Sequence, residues 1–367
     1  MERIEQRLAD ERFAEIDVSF SAAIDGYTET LDHNADLELL PASNQKIITA
    51  LGVAELLDFD QTFVTTAQRY GSDLHLVAGG DPTLSRASLD TIARSVAASG
   101  LSDVQTLYIV DRYTGDVAAP GWEDWQLPAY VGPLSAFMVD DNRYRSDEAF
   151  VDEPALLNGE LFADLLRSRG VRVGDVATWD LDDTPVGSPE ELGRVESRPF
   201  DDLAATMLLS SDNQNADQLV SEIGFRFGDG SIAGGTAAID EALNEWCLNL
   251  AGHSGDGSGL SRANQRSAGE FRRLLEHARG EPWFEWFDES LPVAAQSGTL
   301  SRRFSGTAAA GNVRAKTGSI FVGRALSGYG TTVDDREFVF SVIINGEPQN
   351  VSNAQPAMDA LIAELAA

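Results

Sequence analysis

The chain has 367 residues, 43% of them hydrophobic, and a formal net charge of -32, with 59 acidic residues against 27 basic ones. Such a charge repels nucleic acid and anionic membrane surfaces, which excludes them as partners, and no apolar run has the length of a membrane-spanning helix. The acidic residues are spread along the chain, and self-repulsion of this size is tolerated where salt screens it, so a salt-loving host is expected.

The first segment, from Met1 to Phe13, is charged and helical in pattern. It lacks the apolar core and small-residue cleavage site of a secretory signal, so either the protein is cytoplasmic or its signal lies outside the sequence as given. A strand is predicted from Ile16 to Ile24, where apolar residues alternate near period two and end at the turn signal Asp25-Gly26. Pro41-Ala42-Ser43 leads into a helix to Leu57, with Ile47, Ala50, Leu51, Ala54 and Leu57 as its apolar stripe.

Short strands are predicted at Phe63 to Tyr70, Asp73 to Ala78 and Val104 to Asp111, around a helix from Leu89 to Ala98. Loops fall at Gly79-Gly80-Asp81-Pro82 and at Gly121-Trp122-Glu123-Asp124-Trp125. Helices resume at Pro154 and again at Leu203 to Leu209, and residues 180 to 198 read as a connector or surface strand. Ile239, Leu243, Trp246 and Leu250 repeat at helical spacing and make Cys247 a core-side passenger; as the one cysteine in the chain it has no disulfide partner. Strands are expected at Val313 to Ala315, Arg324 to Gly330 and Glu337 to Ile344, with a closing helix from Pro356 to Leu365.

Lysine is used sparingly. Lys46 and Lys316 are the two lysines, and every other one of the 27 basic residues is arginine. A buried lysine amine can give up its proton and a guanidinium effectively cannot, so lysine persists where its chemistry is needed.

Both lysines fall in motifs. In Ser43-Asn44-Gln45-Lys46 the hydroxyl and the amine share one face at a helix start. Serine becomes a nucleophile when a base takes its proton, and lysine serves as that base when burial or a second cation lowers its pKa. Ser211-Asp212-Asn213 lies between two helices. Lys316-Thr317-Gly318-Ser319 follows a strand and offers a positive charge, a hydroxyl and room for close backbone approach. Each motif alone is ordinary capping or turn chemistry. The ordered set Ser-x-x-Lys, Ser-Asp-Asn, Lys-Thr-Gly is the signature of penicillin-binding proteins and class A β-lactamases.

With these motifs and with Gly80-Asp81-Pro82-Thr83-Leu84, Asp256-Gly257-Ser258-Gly259-Leu260-Ser261-Arg262, Leu291-Pro292, Gly298-Thr299-Leu300 and Ala325-Leu326-Ser327-Gly328-Tyr329, nearly the whole chain resembles one family. This is the serine D-Ala-D-Ala carboxypeptidase/endopeptidase family of class C low-molecular-mass penicillin-binding proteins (peptidase family S13). The resemblance implies an α/β, transpeptidase-like fold: an antiparallel sheet flanked by helices, formed by residues 1–62 and 152–367. The Ser43 helix would be central and the Lys316 strand at the sheet edge. A smaller α+β domain would be inserted at 63–151, with a second family insertion trimmed away between Asn142 and Pro154.

The resemblance also implies roles. Ser43 would attack the carbonyl of the penultimate D-alanine, with Lys46 as base. Ser211 would relay a proton to the leaving amine, Lys316 would help depress the Lys46 pKa, and Asn213 would position Lys46 and the substrate amide. Lys316 and Thr317 would hold the terminal carboxylate, and the N–H groups of Ser43 and Ser319, next to Gly318, would form the oxyanion hole. Arg262 and Asp124, or Glu123 in place of Asp124, would read the substrate side chain. The substrate would be a peptide ending in D-Ala-D-Ala, β-lactams would be covalent inhibitors, and no cofactor or metal is implied. Members of the family work outside the cytoplasm.

Three rival readings fit parts of the chain. A β-lactamase would place Asp240 in the slot of a deacylating carboxylate, although the helical reading of that segment is preferred. An esterase or D-aminopeptidase could use the same fold. A non-catalytic binding protein could keep the fold without the chemistry, but it would have no need of lysine at position 46.

Overall fold

The computed structural model describes residues 2–113, 118–123, 126–142, 154–181, 183 and 185–367. In chain order the elements are α1 (Glu2–Leu8), β1 (Asp17–Ile24), β2 (Leu31–His33), α2 (Gln45–Leu56), β3 (Thr62–Tyr70), β4 (Asp73–Val77), α3 (Arg86–Ala98), β5 (Asp103–Val110), α4 (Gln126–Ala129) and α5 (Pro154–Ser168). There follow β6 (Arg172–Thr178), β7 (Glu190–Pro199), α6 (Phe200–Ser210), α7 (Asn213–Phe227), α8 (Ile232–Asn244), α9 (Ala268–Ala278), α10 (Phe284–Ser290), β8 (Arg314–Ile320), β9 (Gly323–Thr331), β10 (Glu337–Asn345) and α11 (Pro348–Leu365). The chain divides into two compact units, one of Met1–Leu57, Asp201–Ala216 and Thr236–Ala367, the other of Asp58–Phe200 and Asp217–Gly235.

The first unit is built on a sheet of order β2-β1-β10-β9-β8, antiparallel throughout. Strands β1, β9 and β10 are buried on both faces, and the side-chain alternation sorts them. Phe20 and Ala22 of β1 join Phe338, Phe340, Val342 and Ile344 of β10 against Val351, Met358, Leu361 and Leu365 of α11. Burying each of these large apolar side chains contributes about 1.5–3 kcal/mol.

The opposite face carries small hydroxyls. Ser19 Oγ accepts from the N–H of Ala268 at the start of α9, and Ser21 Oγ accepts from Arg272 on the same helix. Asn44, one residue before α2, donates to Ser327 Oγ of β9 at 2.6 Å, and Ser327 shares a hydrogen bond with Ser341 of β10. This pins the start of α2 to the centre of the sheet and leaves β8 as an edge strand.

The second unit holds a mixed sheet of order β6-β5-β4-β3-β7, with β4/β5 and β5/β6 parallel. Leu74, Leu76, Leu107 and Ile109 pack against Leu89, Ile92 and Val96 of α3 and Phe162 and Leu166 of α5. The sequence expectation closed the inserted part at residue 151. The structure instead gives β6 and β7 to the second sheet, because their partners are β5 and β3, through pairs such as Asp175 with Thr106 and Arg194 with Thr66. The boundaries at 62 and 152 thus differ from the observed division. The trimmed stretch expected between Asn142 and Pro154 lies outside the described residues.

Three local expectations change. The first helix stops at Leu8, and a separate short turn of helix at Glu11–Phe13 is capped by Asp10. The last helix begins at Pro348, which takes the first-turn position where a missing N–H costs nothing, and Pro356 lies inside it. Cys247 is exposed rather than on the core side. Helix α8 ends at Asn244, and Cys247 and Asn249 adopt φ of 58° and 54°, so the helical period does not continue to them.

Candidate active site

Ser43 occupies a single turn of 3-10 helix, Ala42–Asn44, that runs directly into α2. Ala42 has φ of 49°, an unfavourable left-handed conformation for a residue with a Cβ, and it sets the angle at which Ser43 enters the helix. One turn further on, Lys46 has no exposed surface. Its Nζ lies 3.2 Å from Ser43 Oγ, 2.8 Å from Asn213 Oδ1 and 2.6 Å from the carbonyl oxygen of Ser258. The hydroxyl and amine of the Ser-x-x-Lys motif therefore meet across three residues of one helix face.

Ser211 and Asn213 come from the junction of α6 and α7. Ser211 takes φ of 63°, which turns the chain sharply between the two helices. Asp212 caps the new helix, its carboxylate accepting from the N–H of Asn215 at 2.8 Å. Asn215 Nδ2 donates to the carbonyl of Leu203, tying α7 back to α6. A fixed helix start thus carries the Asn213 amide to Lys46.

Lys316 on β8 also has no exposed surface. Its Nζ donates to Ser211 Oγ at 2.9 Å and to the Thr317 carbonyl at 2.8 Å. Burial holds this amine well below the ordinary lysine range, and the positive charge of nearby Lys46 pushes the same way. Gly318 lets β8 approach the Ser43 turn, since a Cβ there would stand 2.7 Å from the Pro41 carbonyl oxygen. Ser319, the next residue, is exposed.

Two features were visible in the sequence only as blocks. The Thr317 hydroxyl lies 2.7 Å from that of Thr299, which follows Gly298. Gly298 has φ of 52°, and a Cβ there would meet the Leu209 carbonyl oxygen at 2.5 Å, so this loop lies between the end of α6 and β8. The second feature is the loop from Asp256 to Asn264. It brings the Ser258 carbonyl to Lys46 and accepts a bond from Thr49 of α2 on the Gly257 carbonyl at 2.7 Å. Gly259, at φ 89°, lies against the Ala42–Ser43 backbone, with no room for a Cβ beside the Ala42 carbonyl.

Arg262 is half-buried on this same loop. Asp124 lies outside the described residues. Asp240, the carboxylate of the β-lactamase reading, is in helix α8 and bonds to Arg266 and to Ser254. The structure therefore brings together two hydrogen-bonded groups, Ser43–Lys46–Asn213 and Ser211–Lys316, with Thr317 beside the second and the charge of Lys46 acting on Lys316.

Chemically, this is a hydroxyl next to a buried amine, with a second hydroxyl–amine pair behind it. Asn213 Oδ1 and the Ser258 carbonyl can only accept, so each takes an N–H of Lys46. In the neutral amine those two bonds turn the lone pair toward Ser43 Oγ.

Comparison with known proteins gives the family. The family model described as D-Ala-D-Ala carboxypeptidase 3 (S13) matches residues 1–149 and 145–365. A D-alanyl-D-alanine carboxypeptidase of Actinomadura sp. (strain R39) is 32% identical over 404 residues, covering 84% of this chain and 74% of that protein. Carboxypeptidase DacB of Mycolicibacterium smegmatis is 29% identical, covering 92% of this chain and 77% of that protein. Among solved structures, penicillin binding protein 4 (dacB) from Haemophilus influenzae shares the fold with a TM-score of 0.85 at 21% identity, over 100% of this chain and 99% of that one. The chain belongs to the D-Ala-D-Ala carboxypeptidase 3 (S13) family and is a serine-type carboxypeptidase.

Proposed function

We propose that the chain removes the terminal D-alanine from peptidoglycan-type peptides through an acyl-enzyme on Ser43, and that penicillins trap the same serine. The observation that carries this reading is the 3.2 Å approach of Lys46 Nζ to Ser43 Oγ, in a site where Lys316 bonds to Ser211.

In the first step Ser43 Oγ attacks the carbonyl carbon of the penultimate D-alanine and its proton passes to Lys46 Nζ. The oxygen of the tetrahedral adduct carries the developing charge and is held by the N–H groups of Ser43 and Ser319; such donors contribute about 3 kcal/mol each. The C–N bond then breaks, and Ser211, backed by Lys316, passes a proton to the departing amine. Lys46 regains its neutral form by returning the serine proton to this relay.

In the second step water attacks the ester carbon, gives a proton to Lys46, and Ser43 Oγ leaves and takes that proton back. Lys316 and Thr317 hold the terminal carboxylate, and Arg262 lies on the loop beside the reacting groups. With a β-lactam the amine released by ring opening stays tethered to the acyl group, so the ester on Ser43 is long-lived.

The test is labelling by a fluorescent penicillin in concentrated KCl, followed by peptide mass mapping and an assay of D-alanine release from a D-Ala-D-Ala peptide. A stable adduct on Ser43, absent in Ser43→Ala, together with D-alanine release is the expected result. A folded protein that takes no label and releases no D-alanine overturns the reading.

A further inference from the structure

Asp256 is fully buried and is bonded from several sides. Its carboxylate accepts from the N–H groups of Gly259, Leu260 and Ser261 at 2.8, 3.0 and 2.8 Å, from Ser258 Oγ at 2.9 Å and from Asn264 Nδ2 at 2.8 Å. Asn264 closes the other end of the loop, accepting from the Gly255 N–H at 2.7 Å. A buried carboxylate that satisfies several backbone donors fixes their loop in one conformation, because moving the loop would strand the charge.

That conformation matters at one atom. The carbonyl of Ser258 points at Lys46 Nζ from 2.6 Å, closer than Asn213 Oδ1 or Ser43 Oγ. The loop is also keyed to the helix that carries Lys46, through Thr49 Oγ1 on the Gly257 carbonyl and through Gly259 against Ala42 and Ser43.

We infer that Asp256 is a positioning residue for the acylation step: by holding the 256–261 loop it presents the Ser258 carbonyl as a fixed acceptor that orients the Lys46 amine toward Ser43. This rests on the reading of Lys46 as base. With the Asn213 amide oxygen on a second N–H, the carbonyl directs the remaining position on nitrogen to the serine. Among charged groups, Lys316 of β8 acts on the amine, and Asp256 and Arg262 lie on the loop that carries the Ser258 carbonyl. Asn213, from the start of α7, is uncharged.

Two consequences separate positioning from a merely structural role. Withdrawing a carbonyl acceptor and a buried negative charge both favour the neutral amine, so the acid limb of acylation, where Lys46 must shed its proton, moves to lower pH. The loosened amine is also misaligned, so the plateau rate falls, by about 100-fold for a displacement near 1 Å. A loss of active molecules alone would scale the whole profile down and leave the limb in place.

The experiment measures the pH dependence of penicillin acylation for the wild-type chain and for Asp256→Asn, with folding checked by circular dichroism. Thr49→Val, which loosens the loop from the other side, is measured in parallel and decides the matter if Asp256→Asn does not fold. A lower plateau together with an acid limb at lower pH supports the assignment. A folded variant whose profile is only scaled, or is unchanged, overturns it while leaving Ser43 and Lys46 in place. A wild-type chain that is not acylated at all overturns the underlying reading.

Discussion

The side-chain nitrogen of Lys316 lies 2.9 Å from Ser211 Oγ, with both lysines of the chain buried in one site. Two amines out of water cannot both keep a proton cheaply, and the site resolves this by lowering the proton affinity of Lys316. Between that lowered value and the ordinary lysine value of about 10.4, the unfolded chain binds more protons than the folded one, so stability rises with pH across this window. Melting temperatures of the wild type should therefore gain on those of Lys316→Met as the pH rises toward the ordinary lysine value. Parallel curves in calorimetry would contradict the buried-amine account.

Replacing Lys46 with arginine keeps the charge and removes the base. A guanidinium cannot surrender its proton at accessible pH, and general-base catalysis contributes about 10²–10⁴-fold. Stopped-flow acylation of Lys46→Arg by penicillin should fall within that range. A rate within a few-fold of wild type would mean that position 46 supplies charge alone.

The Thr317 hydroxyl donates to that of Thr299 at 2.7 Å, which fixes the Thr317 side chain beside the reacting groups. Loss of one such hydrogen bond corresponds to about a tenfold effect. Thr299→Val is expected to raise KM for the peptide by roughly that factor, with kcat within about twofold of wild type. A change confined to kcat would place Thr299 in the chemical step instead.

A net charge of -32 makes the folded chain repel itself. Screening shortens from about 10 Å in 0.1 M salt to about 3 Å in 1 M salt. Thermal melts should rise steadily with KCl, and sucrose of equal osmolality should not reproduce the gain. A melting temperature indifferent to KCl would remove the case for adaptation to salt.

The motif residues were readable because their chemistry is carried by side chains, and because the other 25 of the 27 basic residues are arginine. Ser43, Lys46, Ser211, Asn213 and Lys316 could be named from residue type and order alone. The Ser258 carbonyl could not, since a backbone group has no residue signature; its only trace was the block running from Asp256 to Arg262. Thr299 was likewise hidden in a block. The strands β6 and β7 were assigned to the wrong unit because sheet pairing joins segments far apart in sequence, which local periodicity does not report. Trp246 and Leu250 kept an apparent helical period past Asn244, although Cys247 and Asn249, beyond that helix, are left-handed.

The burial of both lysines gives the molecule an unusual relation to proteolysis. A protease that cuts only after lysine finds its two target bonds in α2 and β8, where neither side chain is exposed. The folded chain is then inert to such an enzyme. Each cut requires the Ser43 helix or the Lys316 strand to open. When opening and closing are fast relative to cleavage, the rate of fragment formation reports the population of opened sites. A digestion gel would thus report the local stability of the catalytic centre without a probe attached to it.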